Sequence, residues 1–210
     1  MIIDPKEQST RENYKLMIGS VVPRPIAFVT SENAEGVVNA APFSFFNVLT
    51  ASPPLIYVSV GRHPDGRRKD TAANILDKKE FVVHVVDEDN IEKVNFTSMD
   101  FPPEYSEVKE AGLTLYKSHV VGVPGVAEAK IRMECVLHQA IPLGDAAKPS
   151  NDLLIGEVVC FDIADEVYEA GKIDADTLKP VGRLAGTDFT KIGEVFSIPR
   201  PKFKDWKGKD

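Results

Sequence analysis

The chain has 210 residues, which suits a single domain that buries a full hydrophobic core without disulfides or metals. Its hydrophobic fraction of 43% and charged fraction of 27% are ordinary for a globular protein in water. The formal net charge of −7 argues against a general nucleic-acid binder, because such proteins usually carry a basic excess. The start, MIIDPKEQ, lacks the basic and apolar parts of a signal peptide, and no apolar run reaches the ~18 residues of a membrane span. These features predict a cytoplasmic protein.

The first half of the chain predicts short strands separated by turns and a few helices. A first helix is expected over residues 6–19, where Ser9 or Thr10 can cap its N-terminus. Pro23 and Pro25 then end this helix, because proline cannot continue it. The next predicted elements are, in order, strands at 26–30, 37–41 and 55–60, a helix at about 70–79, a strand at 81–86 and a helix over 87–99.

The second half ends in two long strands with alternating apolar residues, predicted at 130–141 and 153–164. The residues between them, 141–152, are expected to form a long hairpin loop. In the second strand the predicted buried face carries Ile155, Val159 and Phe161, and Glu157 breaks the apolar pattern of that face. Short strands outnumber helices, which favours a mainly β fold, an antiparallel barrel with peripheral helices, over a doubly wound sheet.

Several features of the chain predict no chemistry of their own. Cys135 and Cys160 lie in strand patterns and match no metal or redox spacing, so both are predicted to be buried free thiols. The histidines are not at metal-ligand spacing, so no metal site is predicted, and no dinucleotide fingerprint is found. The domain is predicted to span 1–197, and a basic tail follows at 198–210. Trp206 in this tail either docks on a partner subunit or stays in solvent.

A candidate anion site lies where the basic run Arg67-Arg68-Lys69 meets the predicted helix start at Asp70-Thr71. A helix N-terminus exposes unpaired backbone N–H groups and the positive end of the helix dipole, so it favours an anion such as phosphate. The cationic side chains add charge-assisted hydrogen bonds, and Thr71 adds a hydroxyl. Asp70 complicates this interpretation, because as an N-cap it would occupy the same amides and repel phosphate. The alternative is an ordinary capped helix with solvated charges.

A second candidate feature is the segment Asn39-Ala40-Ala41-Pro42-Phe43-Ser44-Phe45-Phe46-Asn47. A flat redox ring needs apolar contact on its face and polar partners at its edge. Alanines permit close backbone approach, and asparagine and serine supply donors and acceptors. The alternative is a core strand that runs into a turn. Small residues beside an apolar wall, followed by an anion site, together suit flavin mononucleotide (FMN).

These segments occur in an order that is found in a known family. The chain resembles the flavin reductase-like family of FMN-binding split-barrel proteins, in particular its flavoredoxin-like branch. The resemblance covers roughly residues 15–190. The segments that carry it are 24–30, 39–47, 53–54, 69–75, 80–83, 111–114, 155–158 and 183–186.

The resemblance implies a six-stranded antiparallel Greek-key split barrel that forms a homodimer and holds FMN near the subunit interface. It implies that segment 39–47 lines the flavin ring and that Lys69-Asp70-Thr71 meets the ribityl phosphate. The candidate FMN contacts are Thr30, Ser31, Asn39, Ala40, Ala41, Pro42, Ser44, Phe45, Asn47, Ser59, Arg68, Lys69, Asp70 and Thr71.

The chain departs from the family pattern near its end. Members of this branch often read Arg-Leu-Gly-Gly followed by a tyrosine. Here Ala185 replaces the first glycine, and Phe189 stands at or near the tyrosine position. Any role of a phenol at this position is therefore absent or moved elsewhere.

Three functions follow from the resemblance. The favoured one is an FMN-dependent oxidoreductase that takes hydride from NAD(P)H and delivers electrons to a partner oxygenase, another redox protein or free flavin. The second is a flavoredoxin-type electron carrier without direct NAD(P)H oxidation, and the third is flavin binding or storage. The flavin itself carries such chemistry, so no catalytic acid, base or nucleophile is required, and none is identified in the sequence.

Overall fold

The computed structural model describes residues 1–203, in which most of the regular structure is β-strand. The strands are β1 (Ala27–Glu32), β2 (Val38–Phe43), β3 (Phe46–Ala51), β4 (Pro54–Gly61), β5 (Glu80–Val85), β6 (Leu115–Tyr116), β7 (Gly125–Val126), β8 (Ile131–Gly144), β9 (Pro149–Ile163), β10 (Tyr168–Glu169), β11 (Lys172–Ile173), β12 (Val181–Arg183) and β13 (Phe189–Lys191). Seven of them form one sheet in the order β2-β1-β5-β8-β9-β4-β3, and every neighbouring pair is antiparallel. The other six strands form three two-stranded ribbons.

The helices are short and lie around this sheet. They are α1 (Thr10–Ser20), α2 (Asp70–Lys78), α3 (Ile91–Phe96), α4 (Glu107–Glu110) and α5 (Ala175–Leu178). α1 begins at a capping box, in which the Ser9 side chain accepts from the backbone of Glu12 and the Glu12 side chain accepts from the backbone of Ser9. Within residues 1–203, no helix is long and apolar enough to cross a membrane.

The sheet must curl, because its two edge strands are neighbours in the chain. β2 and β3 occupy opposite edges, yet only Ser44 and Phe45 connect them. The Ser59 amide donates to the Phe45 carbonyl at 2.8 Å, which ties this connector to β4. The concave side encloses one apolar core, in which Phe81 and Leu154 are fully buried. A second core packs against α3 and α4 on another face of the sheet.

The mainly β, antiparallel prediction is confirmed, and the large sheet has seven strands where six were predicted. The additional strand is β3, in a stretch between residues 41 and 55 where no strand was predicted. Phe43 and Phe46, which flank the connector, both pack against the apolar core. The Greek-key connectivity stays a prediction.

Three predicted boundaries are wrong. The helix predicted over 6–19 begins only at Thr10, because Ser9 caps it. The helix predicted over 87–99 covers only Ile91–Phe96, because Asp87 makes a turn in which its carboxylate accepts from the amides of Asp89 and Asn90. The long loop predicted at 141–152 is only residues 145–148, since β8 and β9 extend into it. Pro142 is tolerated within β8 because β5 pairs only with the stretch Arg132–Val136, which leaves this part of β8 at an edge.

The predicted buried face of β9 is also wrong. Val159 is 38% exposed and Phe161 is 55% exposed, whereas Leu154 and Val158 face the core. The core face includes Gly156, where a Cβ atom would lie 2.4 Å from Cζ of Phe81. Glycine on the inner face therefore makes room for a phenylalanine ring. Because the glycine interrupts the apolar residues of the inner face, the apolar alternation along the strand predicts the outer face as the buried one.

Two further predictions concern thiols and the tail. Both cysteines are free, but only Cys135 is buried, and Cys160 is half-buried. Burial raises the pKa of both thiols, which disfavours the reactive thiolate.

Residues 198–203 are exposed, and the rest of the predicted tail, including Trp206, lies outside the described residues. The boundary at 197 stays a prediction.

His84 is fully buried in the sheet as a neutral ring. Its Nδ1 lies 2.8 Å from the Phe28 carbonyl, and its Nε2 accepts from the Val126 amide at 3.0 Å. Burial is the main cause that lowers the pKa of His84 to about 4, and the nearby charge of Arg132 acts in the same direction. Neutral His84 thus connects β5 to β1 and β7.

We expect this histidine to make the protein less stable in mild acid. Between the ordinary histidine pKa of about 6.5 and the folded value of about 4, the unfolded chain binds the proton and the native one does not. The free energy of unfolding should therefore fall as the pH decreases through this window, by about 3 kcal/mol in total from this group. Urea unfolding at several pH values measures the slope. His84→Gln should flatten it, and His138→Gln, at a half-exposed site, should not; equal slopes in all three proteins would contradict the assignment.

Candidate functional site

A cleft of about 360 Å³ opens beside the N-terminus of α2, and we call it the helix-end cleft. Three segments form its walls: the loop that leads into α2, the end of β2, and the chain that follows α3. The lining residues are Asn39, Ala41, Pro42, Phe43, His63, Arg67, Lys69, Asp70, Thr71, Thr97, Ser98, Met99, Asp100, Phe101, Pro102, Pro103 and Glu107.

The N-terminus of α2 has no side-chain cap. Lys69 is the N-cap residue, with extended backbone angles, and its side chain makes no capping hydrogen bond. Asp70 is the first helical residue, so the alternative in which Asp70 caps the helix is wrong. The first intrahelical bond runs from the Ala73 amide to the Lys69 carbonyl at 3.0 Å. The amides before Ala73 therefore have no partner within the helix, which suits an anion.

A chain of hydrogen bonds links β2 to α2 and α4 at the bottom of the cleft. The side-chain amide of Asn39 lies 2.9 Å from the Thr71 hydroxyl. In the orientation of this amide that satisfies both of its ends, its oxygen accepts from Thr71 and its nitrogen donates to Glu107 Oε1 at 3.2 Å. Glu107 Oε2 also accepts from the Ala40 amide at 3.0 Å. All four residues are buried. In this arrangement Thr71 donates its hydroxyl proton to Asn39, so its backbone amide, rather than its hydroxyl, remains as a donor without a partner in the helix.

The charges around the cleft are mixed. The cationic side chains are Lys69 and Arg67, while Asp70, Asp100 and Glu107 are acidic. Lys69 lies 3.3 Å from Asp100 in an exposed pair, which solvent weakens. Burial raises the pKa of the Glu107 carboxyl, so it ionises less readily than usual. The positive character is therefore concentrated at Lys69 and the helix end.

Six of the fourteen candidate contacts line this cleft: Asn39, Ala41, Pro42, Lys69, Asp70 and Thr71. Three others are buried beneath the surface. Thr30 donates its hydroxyl to the Pro124 carbonyl at 2.7 Å, Ser31 accepts from Asn74 at 3.3 Å, and Ala40 donates to Glu107. These three do not line the helix-end cleft, and their role as cofactor contacts stays a prediction.

The other five candidates lie outside the helix-end cleft. Ser44 lines a second, adjacent cleft, and the ring of Phe45 packs near Tyr14 with centroids 6.5 Å apart. Asn47 is exposed on β3. Ser59 accepts from Asn151 at 3.1 Å, and Arg68 lies 3.3 Å from Asp152. The role of these residues as cofactor contacts stays a prediction.

One wall of the cleft was not identified from the sequence. Thr97, Ser98, Met99, Asp100 and the stretch 101–103 form it, and Glu107 completes its base. Residues 100–110 have weak periodicity and lie outside the segments that carry the family resemblance, so no role was predicted for them. The pair Pro102-Pro103 after an aromatic residue was the available signal, since prolines fix the backbone of a wall without secondary structure.

Comparison with known proteins identifies the family. A model of the flavin reductase like domain matches residues 18–178. The chain belongs to the flavin reductase-like family. This confirms the resemblance found in the sequence. The chain is also 56% identical over 202 residues to BH2278 of Halalkalibacterium halodurans, a match that covers 96% of this chain and 97% of that protein.

Several solved structures share this fold. Nitrilotriacetate monooxygenase component B from Bacillus cereus has a TM-score of 0.92 at 53% identity, with 94% of this chain and 98% of that chain covered. The 2-nitrobenzoate 2-nitroreductase NbaA of Pseudomonas fluorescens has a TM-score of 0.87 at 33% identity, with 97% and 98% covered. Flavoredoxin of Desulfovibrio vulgaris, at 16% identity, a TM-score of 0.73 and coverage of 94% and 97%, shares the fold.

Glu107 allows a direct test of how the cleft is held together. Glu107→Ala should lower the free energy of unfolding by about 1–3 kcal/mol, because it leaves the buried Ala40 amide without an acceptor. Glu107→Gln retains an acceptor oxygen and should lose clearly less. Urea unfolding of the three proteins measures the difference, and equal losses in both variants would show that the bond to Ala40 is not what stabilises this region.

Proposed function

We propose that this protein is an FMN-binding oxidoreductase that oxidises NAD(P)H and delivers the electrons to a partner oxygenase, another redox protein or free flavin. The observation that carries the proposal is the helix-end cleft, where an uncapped helix N-terminus and Lys69 adjoin the wall at Ala41 and Pro42. The family membership points to the same chemistry. The relative named component B of nitrilotriacetate monooxygenase, at 53% identity, favours an oxygenase as the recipient.

The residues of the cleft fit FMN at both ends. The free amides of the first turn of α2 and the Lys69 ammonium suit a phosphate. Ala41 and Pro42, with Phe101 across the cleft, offer apolar contact to a flat ring. The cleft of about 360 Å³ lies within the range of roughly 300–1,000 Å³ that is usual for such ligands. FMN, rather than a flavin without phosphate, is therefore the proposed cofactor.

The roles of the chain itself are binding and orientation. Bound FMN would supply the hydride and electron chemistry. Asn39 and Thr71 fix the start of β2 against α2, so that the phosphate and ring contacts keep a constant separation. Thr97 and the 101–103 stretch close the opposite wall and limit the access of water.

The proposal further includes a homodimer. Residues 47–53 of the edge strand β3 and the turn after it are exposed, and Val48 and Leu49 are 72% and 45% exposed. An edge strand with apolar side chains and unpaired backbone groups favours pairing with a second copy.

The dimer is tested by a charge placed at this edge. Val48→Glu should shift sedimentation from the mass of two chains to the mass of one, because a buried carboxylate would lose its hydration. Val120→Glu, at a 62% exposed position away from this edge strand, should leave the mass unchanged. A wild-type protein that sediments as a single chain would rule out the dimer.

The redox function is tested by visible absorption without oxygen. The FMN-loaded protein should lose its flavin absorption when NADH or NADPH is added, and a mixture of free FMN and nucleotide is the control. A yellow protein that stays oxidised with both nucleotides, yet accepts electrons from a reduced iron–sulfur protein, would make it an electron carrier instead. A colourless protein without affinity for FMN would exclude every flavin-based function.

The phosphate site is tested with two ligands that differ only in that group. Lys69→Ala should weaken FMN binding by roughly tenfold or more and riboflavin binding hardly at all, because it removes a charge-assisted hydrogen bond to phosphate. Lys78→Ala is the matched control, since Lys78 lies at the other end of α2 and pairs with Glu32. Fluorescence quenching of both flavins gives the affinities. An equal loss for FMN and riboflavin would remove the phosphate assignment.

A further inference from the structure

A second cleft of about 220 Å³ adjoins the helix-end cleft and shares Pro42, Phe43 and Ser98 with it. We call it the arginine cleft, because Arg24 and Arg183 both line it. Among the described residues that line it, none is acidic. The helix-end cleft, in contrast, is lined by three carboxylates. The two neighbouring clefts therefore differ in the ligand charge that they favour.

Arg183 has free hydrogen-bonding capacity at the wall of the arginine cleft. Its guanidinium carbon lies 4.3 Å from the ring centroid of Phe189, and Nη2 donates to the Gly186 carbonyl at 2.5 Å. Phe189 contacts the guanidinium with its ring face and has no acceptor atom to offer. Within residues 1–203, Arg183 has no carboxylate within ion-pair distance. A guanidinium has five N–H donors, so most of them are available to a ligand.

Arg24 adds a fixed positive charge to the same cleft. It is only 6% exposed, and its Nη1 and Nη2 donate to the carbonyls of Ile18, Val21 and Leu184, each at 2.7 Å. Its Nε lies 3.3 Å from the Ser44 hydroxyl. These partners are dipoles, and among the described residues no carboxylate pairs with Arg24. Its charge is therefore not cancelled locally, and it raises the positive potential in the cleft.

We propose that the arginine cleft binds a small single-ring carboxylate. The carboxylate would pair with the Arg183 guanidinium, whose planar donor edge matches two carboxylate oxygens. The ring would lie against the apolar wall formed by Ile26, Phe43 and Phe189. The volume of about 220 Å³ is below the roughly 300–1,000 Å³ of drug-sized ligands, which limits the occupant to one ring. This site goes beyond the proposed function, and its binding does not require bound flavin.

The proposal is tested by titrating the whole ¹⁵N-labelled protein with benzoate and with benzamide, which have nearly the same shape but differ in charge. Benzoate should bind at least about tenfold more tightly, as expected for a charge-assisted bond to arginine. Its chemical-shift changes should be centred on Ser44, Asn95 and Gly186, which all line the cleft. Arg183→Gln should remove the preference for benzoate. Arg11→Gln, on the exposed side of α1, should keep it.

Three results would overturn the proposal: equal binding of benzoate and benzamide, shift changes centred elsewhere, or no binding of benzoate at all. Repeating the benzoate titration with FMN present separates this site from the cofactor site. An unchanged benzoate affinity supports two sites, whereas competition would show that the flavin ring itself fills the arginine cleft. If Arg183→Gln fails to fold, the comparison of benzoate with benzamide on the wild-type protein still tests the proposal. A failure to bind FMN would overturn the proposed function and leave this test intact.

Discussion

The short connector between β2 and β3 is the constraint on which the molecule depends. Two residues join strands at opposite edges of a seven-stranded sheet, so the sheet cannot lie flat. The curl places the apolar sides of β4, β5 and β9 around one core. As an edge strand, β2 has no second strand partner, and it lies beside the start of α2. The helix-end cleft forms in the gap between them.

Buried polar groups hold the irregular part of the chain in place. Glu134 lies on β8 and accepts from the amides of residues 119, 120 and 121 at 2.7, 2.7 and 3.0 Å. His84 accepts from the Val126 amide, and Glu107 accepts from the Ala40 amide. Side chains from the sheet thus satisfy loop amides that have no strand partner. This explains how residues 97–128, with little regular structure, supply both a wall and the base of a cleft.

The sequence predicts features that depend on local chemistry better than those that depend on distant partners. The end of α1, the position of α2 and the anion-favouring run before it follow from prolines, helix signals and charge that lie next to one another. The inner face of β9 does not, because Gly156 is inward only to accommodate Phe81 from another strand. Arg68 likewise belongs to the predicted basic run, but its position is set by Asp152 on β9. Such contacts join residues that are far apart in the chain, so no local sequence pattern predicts them.

The two adjoining clefts offer opposite electrostatic environments on either side of a shared wall. In the helix-end cleft, acidic side chains lie beside the cations, and Lys69 pairs with Asp100 only in an exposed contact, so the narrow region at Lys69 and the uncapped helix N-terminus favours an anion. In the arginine cleft, no carboxylate among the described lining residues faces the two guanidinium groups. The whole cavity therefore favours an anionic ligand. Pro42 and Phe43, apolar and common to both, separate the two anion-favouring regions. Two anionic ligands could therefore bind side by side, with their charged ends apart and their apolar parts against the same wall. A flavin in one cleft and a small carboxylate in the other would meet this requirement.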